Sequence, residues 1–148
     1  MKDLFDGLQP AGDAESDDQL LRLATAVMLV EVMRADATIH PDERLAVRNA
    51  LCAQFAMTAD DAQRLAELAE TTAQHATDLY AFTSRINDRF DMAQKIRMVE
   101  LMWSVAYADG HLSALERHVM WRIADLLYVP QAAYQHARLR AQRAAGAD

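Results

Sequence analysis

The chain has 148 residues, of which 52% are apolar, and a formal net charge of −7. This length and apolar content suffice for one domain with a substantial core. The negative charge argues against binding along nucleic-acid phosphates, which requires a basic surface, so no nucleic-acid partner is expected. The one cysteine, Cys52, excludes an internal disulfide and fits a reducing compartment.

The first residues do not resemble a signal peptide, because Asp3 and Asp6 stand where an apolar stretch is needed. The best apolar run, residues 24–33, contains Glu31 and is too short to span a bilayer. We therefore expect a soluble, cytoplasmic protein without direct membrane insertion. Residues 1–15 are interpreted as a flexible lead-in and residues 16–148 as one helical domain.

The pattern after residue 15 predicts about seven helices and no strand, because apolar residues recur at three- and four-residue steps. Ser16 and Gln19 form a capping-box pattern that predicts the start of the first helix, which should end near Arg34. The later helices, caps included, are predicted at about 41–55, 58–70, 77–86, 91–108, 113–127 and 130–143.

Some large and basic side chains on the later helices also receive a predicted place. Trp103 and Trp121 lie on apolar helix faces and are assigned to the core. Arg138, Arg140 and Arg143 crowd the end of the last helix, where the helix dipole favours cations, and are interpreted as a solvated helix end.

An acidic motif occurs twice, each time between two apolar helical runs. The first copy is A-D-A-T-I-H-P-D-E-R at residues 35–44, and the second is A-D-G-H-L-S-A-L-E-R at residues 108–117. The copies are 73 residues apart (109 − 36) and share the frame A-D-x-x-[I/L]-x-x-x-E-R. The repeat predicts an all-α single domain built from two pseudo-symmetric helix-turn-helix units that pack face to face.

The second copy is similar to the second half of an EF-hand calcium loop, which has an acid, a glycine and a final glutamate. The two earlier ligand positions of such a loop would fall on Val105 and Tyr107, or on Val32 and Arg34 in the first copy. These side chains do not ligate a hard cation, so a conventional EF-hand is not expected.

Helix capping alone is one explanation of the acids. Glu116 follows Ser113 as in a capping box, and Glu43 occupies the same position in the other copy. Asp36 and Asp109 could accept bonds from turn N–H groups, and acids in a first turn are favoured by the helix dipole.

The alternative is a single metal site that uses the acids of both turns. If the turns approach each other, four carboxylates would repel unless protons or a cation intervene. Oxygen ligands favour calcium, magnesium or manganese, whereas the flanking His40 and His111 would shift the preference toward zinc, which is less expected. The candidate metal ligands are Asp36, Glu43, Asp109 and Glu116.

The segment from Met98 to Leu127, with A-Y-A-D-G-H-L-S-x-x-E, resembles the tellurite-resistance TerB-like family, and the segment from Met33 to Glu43 resembles the same family's earlier repeat. The resemblance covers about residues 17–140. It implies an all-helical fold with internal pseudo-symmetry and a metal-binding role for the four acids. It also implies a part in tellurite or chemical-stress responses, with a protein partner such as a membrane-associated stress complex. Ala37 replaces the family's usual glycine, so the two turns are not expected to be equivalent.

The sequence thus predicts a non-enzymatic stress protein that binds a divalent cation. The alternative is a helical protein–protein adaptor or co-chaperone-like module without metal, since a similar domain begins some DnaJ-type co-chaperones, although no J domain is present here. A hydrolase that uses the carboxylates is a third hypothesis, and it would require a substrate-sized cleft and a raised carboxyl pKa beside the motif.

Overall fold

The computed structural model describes residues 13–36 and 38–146, with side chains from residue 17 onward. Within these residues the regular structure is entirely helical, which confirms the predicted all-α class. The helices are α1 (Asp13–Arg34), α2 (Pro41–Phe55), α3 (Ala59–His75), α4 (Tyr80–Arg89), α5 (Met92–Ala106), α6 (Ala114–Leu126) and α7 (Gln131–Ala144). None of these seven helices combines the length and apolar character that crossing a bilayer requires.

Helix α1 lies at the centre of the molecule. It contacts α2, α3, α4, α5 and α6, and every residue from 23 to 30 is buried. A helix that is covered on all sides needs apolar residues on all faces, which is why this run is wider than the single stripe of a surface helix.

The two acidic turns connect the helices of two hairpins, α1–α2 and α5–α6. Helix α5 packs against both α1 and α2, and α6 packs against α1, so the hairpins lie against each other. Helix α3 packs on α1 and α2 of the first hairpin, α4 contacts both α1 and α6, and α7 covers α5. This packing places the two turns side by side, whereas an approximate two-fold axis between the hairpins stays a prediction.

Several helix starts agree with the predicted caps. Thr58 Oγ1 accepts a bond from the Asp61 N–H at 3.2 Å, and Asp91 forms a reciprocal capping box with Gln94. The predicted start of the first helix is wrong, because α1 begins at Asp13 and includes Ser16. Residues 1–12, most of the predicted lead-in, lie outside the described residues, and the domain boundary at residue 16 stays a prediction.

Helix α3 continues five residues beyond the predicted end near residue 70. Its last two turns place Ala69, Thr72 and Ala73 in the interior. Small buried side chains let α3 pack closely on α1, and this burial extends the helix where the sequence pattern alone is weak.

The two tryptophans differ. Trp103 is 1% exposed, as predicted, but Trp121 is 53% exposed, so its assignment to the core is wrong. Helix α6 buries the face of Met120 and Ile123, and Trp121 lies about 100° around the helix from Met120.

The basic residues of α7 also differ from the prediction of a solvated end. Arg140 Nε donates a hydrogen bond to Glu100 Oε1 on α5. Arg138 Nε donates to the Tyr107 hydroxyl at 2.8 Å. Only Arg143 of the three is an exposed residue without a partner in the described part of the chain.

Candidate functional site

The second acidic turn positions Glu116 through a complete capping box. Ser113 Oγ accepts a bond from the Glu116 N–H at 3.0 Å, and Glu116 Oε1 accepts one from the Ser113 N–H at 2.9 Å. These bonds satisfy two N–H groups at the start of α6 and fix the glutamate against the helix. Glu116 is 2% exposed. The predicted cap is confirmed.

The first turn holds Glu43 by half of the same arrangement. Glu43 Oε1 accepts a bond from the His40 N–H at 3.1 Å, whereas the Glu43 N–H donates to the His40 carbonyl oxygen at 3.0 Å. The imidazole of His40 is therefore not needed as a cap. Glu43 is 1% exposed.

Capping accounts for only one oxygen of each glutamate. The Oε2 atoms of Glu43 and Glu116 are buried and have no hydrogen-bond donor among the described residues. The two carboxyl groups are within hydrogen-bonding range of each other, so the two turns converge. Each glutamate thus caps its own helix and also meets its counterpart from the other hairpin.

The environment of Glu43 favours its protonated form. The pKa of Glu43 is raised from 4.5 to about 7 in total, and burial is the largest cause, although the hydrogen bond from the His40 backbone opposes the shift. The carboxyl of Glu116, through a hydrogen bond and its charge, and the charge of Asp109 account for smaller parts of the same rise. A proton shared by the two glutamates would supply the donor that their Oε2 atoms lack.

Asp109 connects the two turns. Its Oδ1 accepts a bond from the His111 N–H at 3.0 Å, within its own turn. Its Oδ2 lies 3.5 Å from Nε2 of His40, in the other turn. Asp36, its counterpart, lies two residues beyond α1, is partly buried, and is not among the groups that shift the pKa of Glu43.

Glycine is required in the second turn by the backbone. Gly110 has φ +78°, and its N–H donates to the Tyr107 carbonyl oxygen at 2.9 Å. A Cβ built there would meet no atom within 4 Å, so the requirement comes from the backbone conformation and not from space. The corresponding Ala37 of the first turn lies outside the described residues.

The acids are close, but they do not form a ready-made metal site. Within residues 13–36 and 38–146, no group of three or more His, Cys, Asp or Glu side chains is arranged to hold a metal ion. The structure brings together Glu43, Glu116 and Asp109. The four-residue ligand set that includes Asp36 therefore stays a prediction.

The comparison with known families agrees with the motif. The family model described as "Tellurite resistance protein TerB" matches residues 22–139, a range that contains both acidic turns. The chain belongs to the TerB family. No curated protein and no solved structure gave a significant match. The resemblance seen in the sequence is thus confirmed over nearly the predicted range, and the helical TerB fold places its two motif copies in contact.

Beside the second turn of this TerB chain is a feature that the sequence does not predict. A cavity of about 380 Å³ is lined by His111, Arg117, Arg138 and Gln142, among others. Arg117 is the last residue of the second motif copy, whereas Arg138 lies on α7. They meet only because α7 packs on α5. The sequence of a single helix therefore does not predict this pair of arginines.

Proposed function

We propose that this TerB-family protein is a non-enzymatic, cytoplasmic protein of the tellurite or chemical-stress response that binds one divalent cation between its two acidic turns. The observation that supports this proposal is the pair of buried, unpartnered Oε2 atoms of Glu43 and Glu116. Buried carboxylate oxygens without donors are costly, and a cation or a proton removes that cost.

A hard cation suits the donor set. Glu43 and Glu116 would each offer Oε2, since Oε1 is held by the helix start. Asp109 would add an oxygen after a small rearrangement of its contact with His40. Carboxylate oxygens and water are the ligands that calcium, magnesium and manganese prefer. Such an ion would link the two hairpins, and the free energy of unfolding would then rise with the cation concentration.

Calorimetric titration of the metal-free protein with calcium, magnesium, manganese and zinc tests the proposal. We expect one ion per chain at pH 8. Because Glu43 must lose its proton to bind, affinity should fall by roughly tenfold per pH unit below pH 7. Glu43→Gln and Glu116→Gln should abolish binding, and Asp36→Asn would show whether the fourth acid takes part.

The control is Glu67→Gln, which changes an exposed glutamate on α3 and should bind the ion like the wild type. The proposal fails if none of the four ions produces heat or a thermal shift. It also fails if Glu43→Gln and Glu116→Gln bind with unchanged affinity, because the ion would then lie elsewhere.

A protein–protein adaptor is the second candidate, and exposed aromatic side chains favour it. Trp121 on α6 and Tyr128 just after it are seven residues apart and largely exposed. Exposed Trp and Tyr are enriched at binding interfaces. For such an adaptor, which could belong to a membrane-associated stress complex, a purified partner should stay bound in chelator and dissociate when both aromatics are replaced by alanine. Release of the partner by chelator alone would instead favour the metal-dependent function.

A further inference from the structure

Two cavities meet between the second acidic turn and α7. The cavity of about 380 Å³ has polar and basic side chains, among them Arg117, Arg138 and Gln142. A second cavity of about 420 Å³ is lined by Ser104 and by the alanines 108, 141, 144 and 145. Tyr107 and Gly110 line both, so the two cavities are neighbours. Each has the volume of a small-molecule site.

Arg138 is held in place within this surface. Its Nε donates to the Tyr107 hydroxyl at 2.8 Å, and its guanidinium lies over the Trp103 ring, 5.1 Å from the centroid. Trp103 is itself packed against Tyr107 and Tyr134, with ring centroids 6.0 Å and 5.2 Å away. A guanidinium fixed by stacking and one hydrogen bond loses little further entropy when its terminal nitrogens bind an anion.

The two arginines of this cavity form no salt bridge among the described residues. Within the described part of the chain, neither Arg117 nor Arg138 has a carboxylate at salt-bridge distance. Other arginines, such as Arg22 and Arg122, share this property, so the distinguishing feature is that two such arginines line one cavity. In a chain of net charge −7, two unpaired arginines on one cavity form a local basic site. Such a site attracts anions of low mass more than the polyanions that the whole molecule repels.

We propose that this cavity binds a small organic anion through a phosphate or carboxylate group. Arg117 and Arg138 hold the oxygens of the anionic group, as guanidinium groups do in charge-assisted pairs. Gln142 and His111 supply further polar contacts at the rim. The uncharged part of the ligand lies in the adjoining cavity along the alanines of α7. This site is separate from the glutamate pair, and it does not depend on the proposed cation.

Fluorescence of Trp103 offers a local readout. The chain has two tryptophans, so Trp121→Phe leaves only Trp103, on which Arg138 stacks. This variant is titrated with inorganic phosphate and, separately, with acetate, at constant ionic strength and in buffer freed of metal by a chelating resin, because a dissolved chelator would itself bring carboxylates. We expect a saturable change with at least one anion below about 10 mM. Saturation by phosphate assigns a phosphate group to the ligand, and saturation by acetate alone assigns a carboxylate.

Matched arginine variants locate the site. Arg117→Gln should weaken binding about tenfold or more, the usual effect of removing a charge-assisted hydrogen bond. It leaves the Arg138–Trp103 contact intact, so the optical signal is kept. Arg122→Gln on α6 and Arg143→Gln on α7 change exposed arginines outside the cavity and should alter affinity less than about twofold.

The proposal is overturned if neither anion saturates the signal, or if Arg122→Gln weakens binding as much as Arg117→Gln. In the second case the effect would be one of overall charge. Glu43→Gln should keep anion binding, so failure of the cation proposal and failure of this one are observed separately.

Discussion

At the residue scale, the two carboxylate oxygens of Glu43 have different environments. Oε1 accepts a hydrogen bond from the His40 N–H at the start of α2, and Oε2 is buried near Glu116 without a donor among the described residues. Because the pKa of Glu43 is raised to about 7, mainly by burial and also by Glu116 and Asp109, the folded protein holds a proton that the unfolded chain releases above pH 4.5. This stabilisation is complete below pH 4.5 and is lost as the pH rises through 7.

We therefore expect Glu43→Gln to be more stable than the wild type above pH 7 by about 1–3 kcal/mol in chelator. The amide oxygen keeps the bond from the His40 N–H, and the amide N–H supplies a donor toward Glu116 at every pH. Guanidinium unfolding at pH 5, 7 and 8 measures the free energy of unfolding. The loss of stability between pH 5 and 8 should be smaller in the variant.

Glu67→Gln serves as the control, because this exposed glutamate should leave the pH profile of the wild type unchanged. If Glu43→Gln instead destabilises the protein equally at all three pH values, then Glu43 is charged throughout this range and the shared proton is absent.

The sequence predicts which acids form this site, but not that each glutamate caps its helix with one oxygen and meets the other glutamate with the second. From the sequence, helix capping and clustering of the acids are alternative explanations, because the spacing of residues along the chain does not show that the two oxygens of Glu116 have different neighbours. The contact between His40 and Asp109 joins two motif copies and depends on the packing of the hairpins. The basic cavity was missed for the same reason, since Arg117 and Arg138 meet only through α7.

At the scale of the helix, two helices are followed by residues in the left-handed backbone conformation, which residues with a Cβ atom rarely adopt. Ala56, just after α2, has φ 52°, and Tyr128, after α6, has φ 59°. Glycine adopts the left-handed conformation at a helix end without strain, whereas a residue with a Cβ atom is destabilised there by about 1–2 kcal/mol.

We predict that Ala56→Gly raises the free energy of unfolding by about 0.5–1 kcal/mol, since the strain relieved exceeds the added entropy of the unfolded chain. Ala53→Gly is the matched control, because Ala53 is also exposed but lies inside α2. There the same change should lower stability by about 1 kcal/mol. Thermal and guanidinium unfolding measure both. Equal signs for the two variants would contradict the left-handed conformation at residue 56.

Three helix starts were predictable from their capping residues. Thr58, Asp91 and Ser113 cap their helices with side-chain oxygens that the sequence displays directly. The start of α1 was wrong because Ser16 and Gln19 also fit inside a helix, and a capping pattern does not exclude an earlier start. The end of α3 depends on burial against α1, which a local pattern does not contain.

At the scale of the whole molecule, α1 makes the fold one unit. It touches five other helices, and its residues 23–30 are buried without interruption. The hairpin containing α5 therefore has no separate core. Cation binding at the turns, if it occurs as proposed, acts on the stability of the entire domain because both turns belong to helices that pack on α1.

We accordingly predict that Leu29→Ala lowers the free energy of unfolding by about 2–5 kcal/mol, since Leu29 is fully buried and the neighbouring helices cannot all close the cavity. Leu139→Ala, at a side chain that is 46% exposed, should cost less than about 1 kcal/mol. Circular dichroism follows all helices, and in a Trp121→Phe background the fluorescence of Trp103 follows α5 and its contact with α7. The two signals should change together in both variants. A transition in which α5 unfolds separately from the bulk helix signal would contradict the central role of α1, and with it the coupling of the two acidic turns through a shared core.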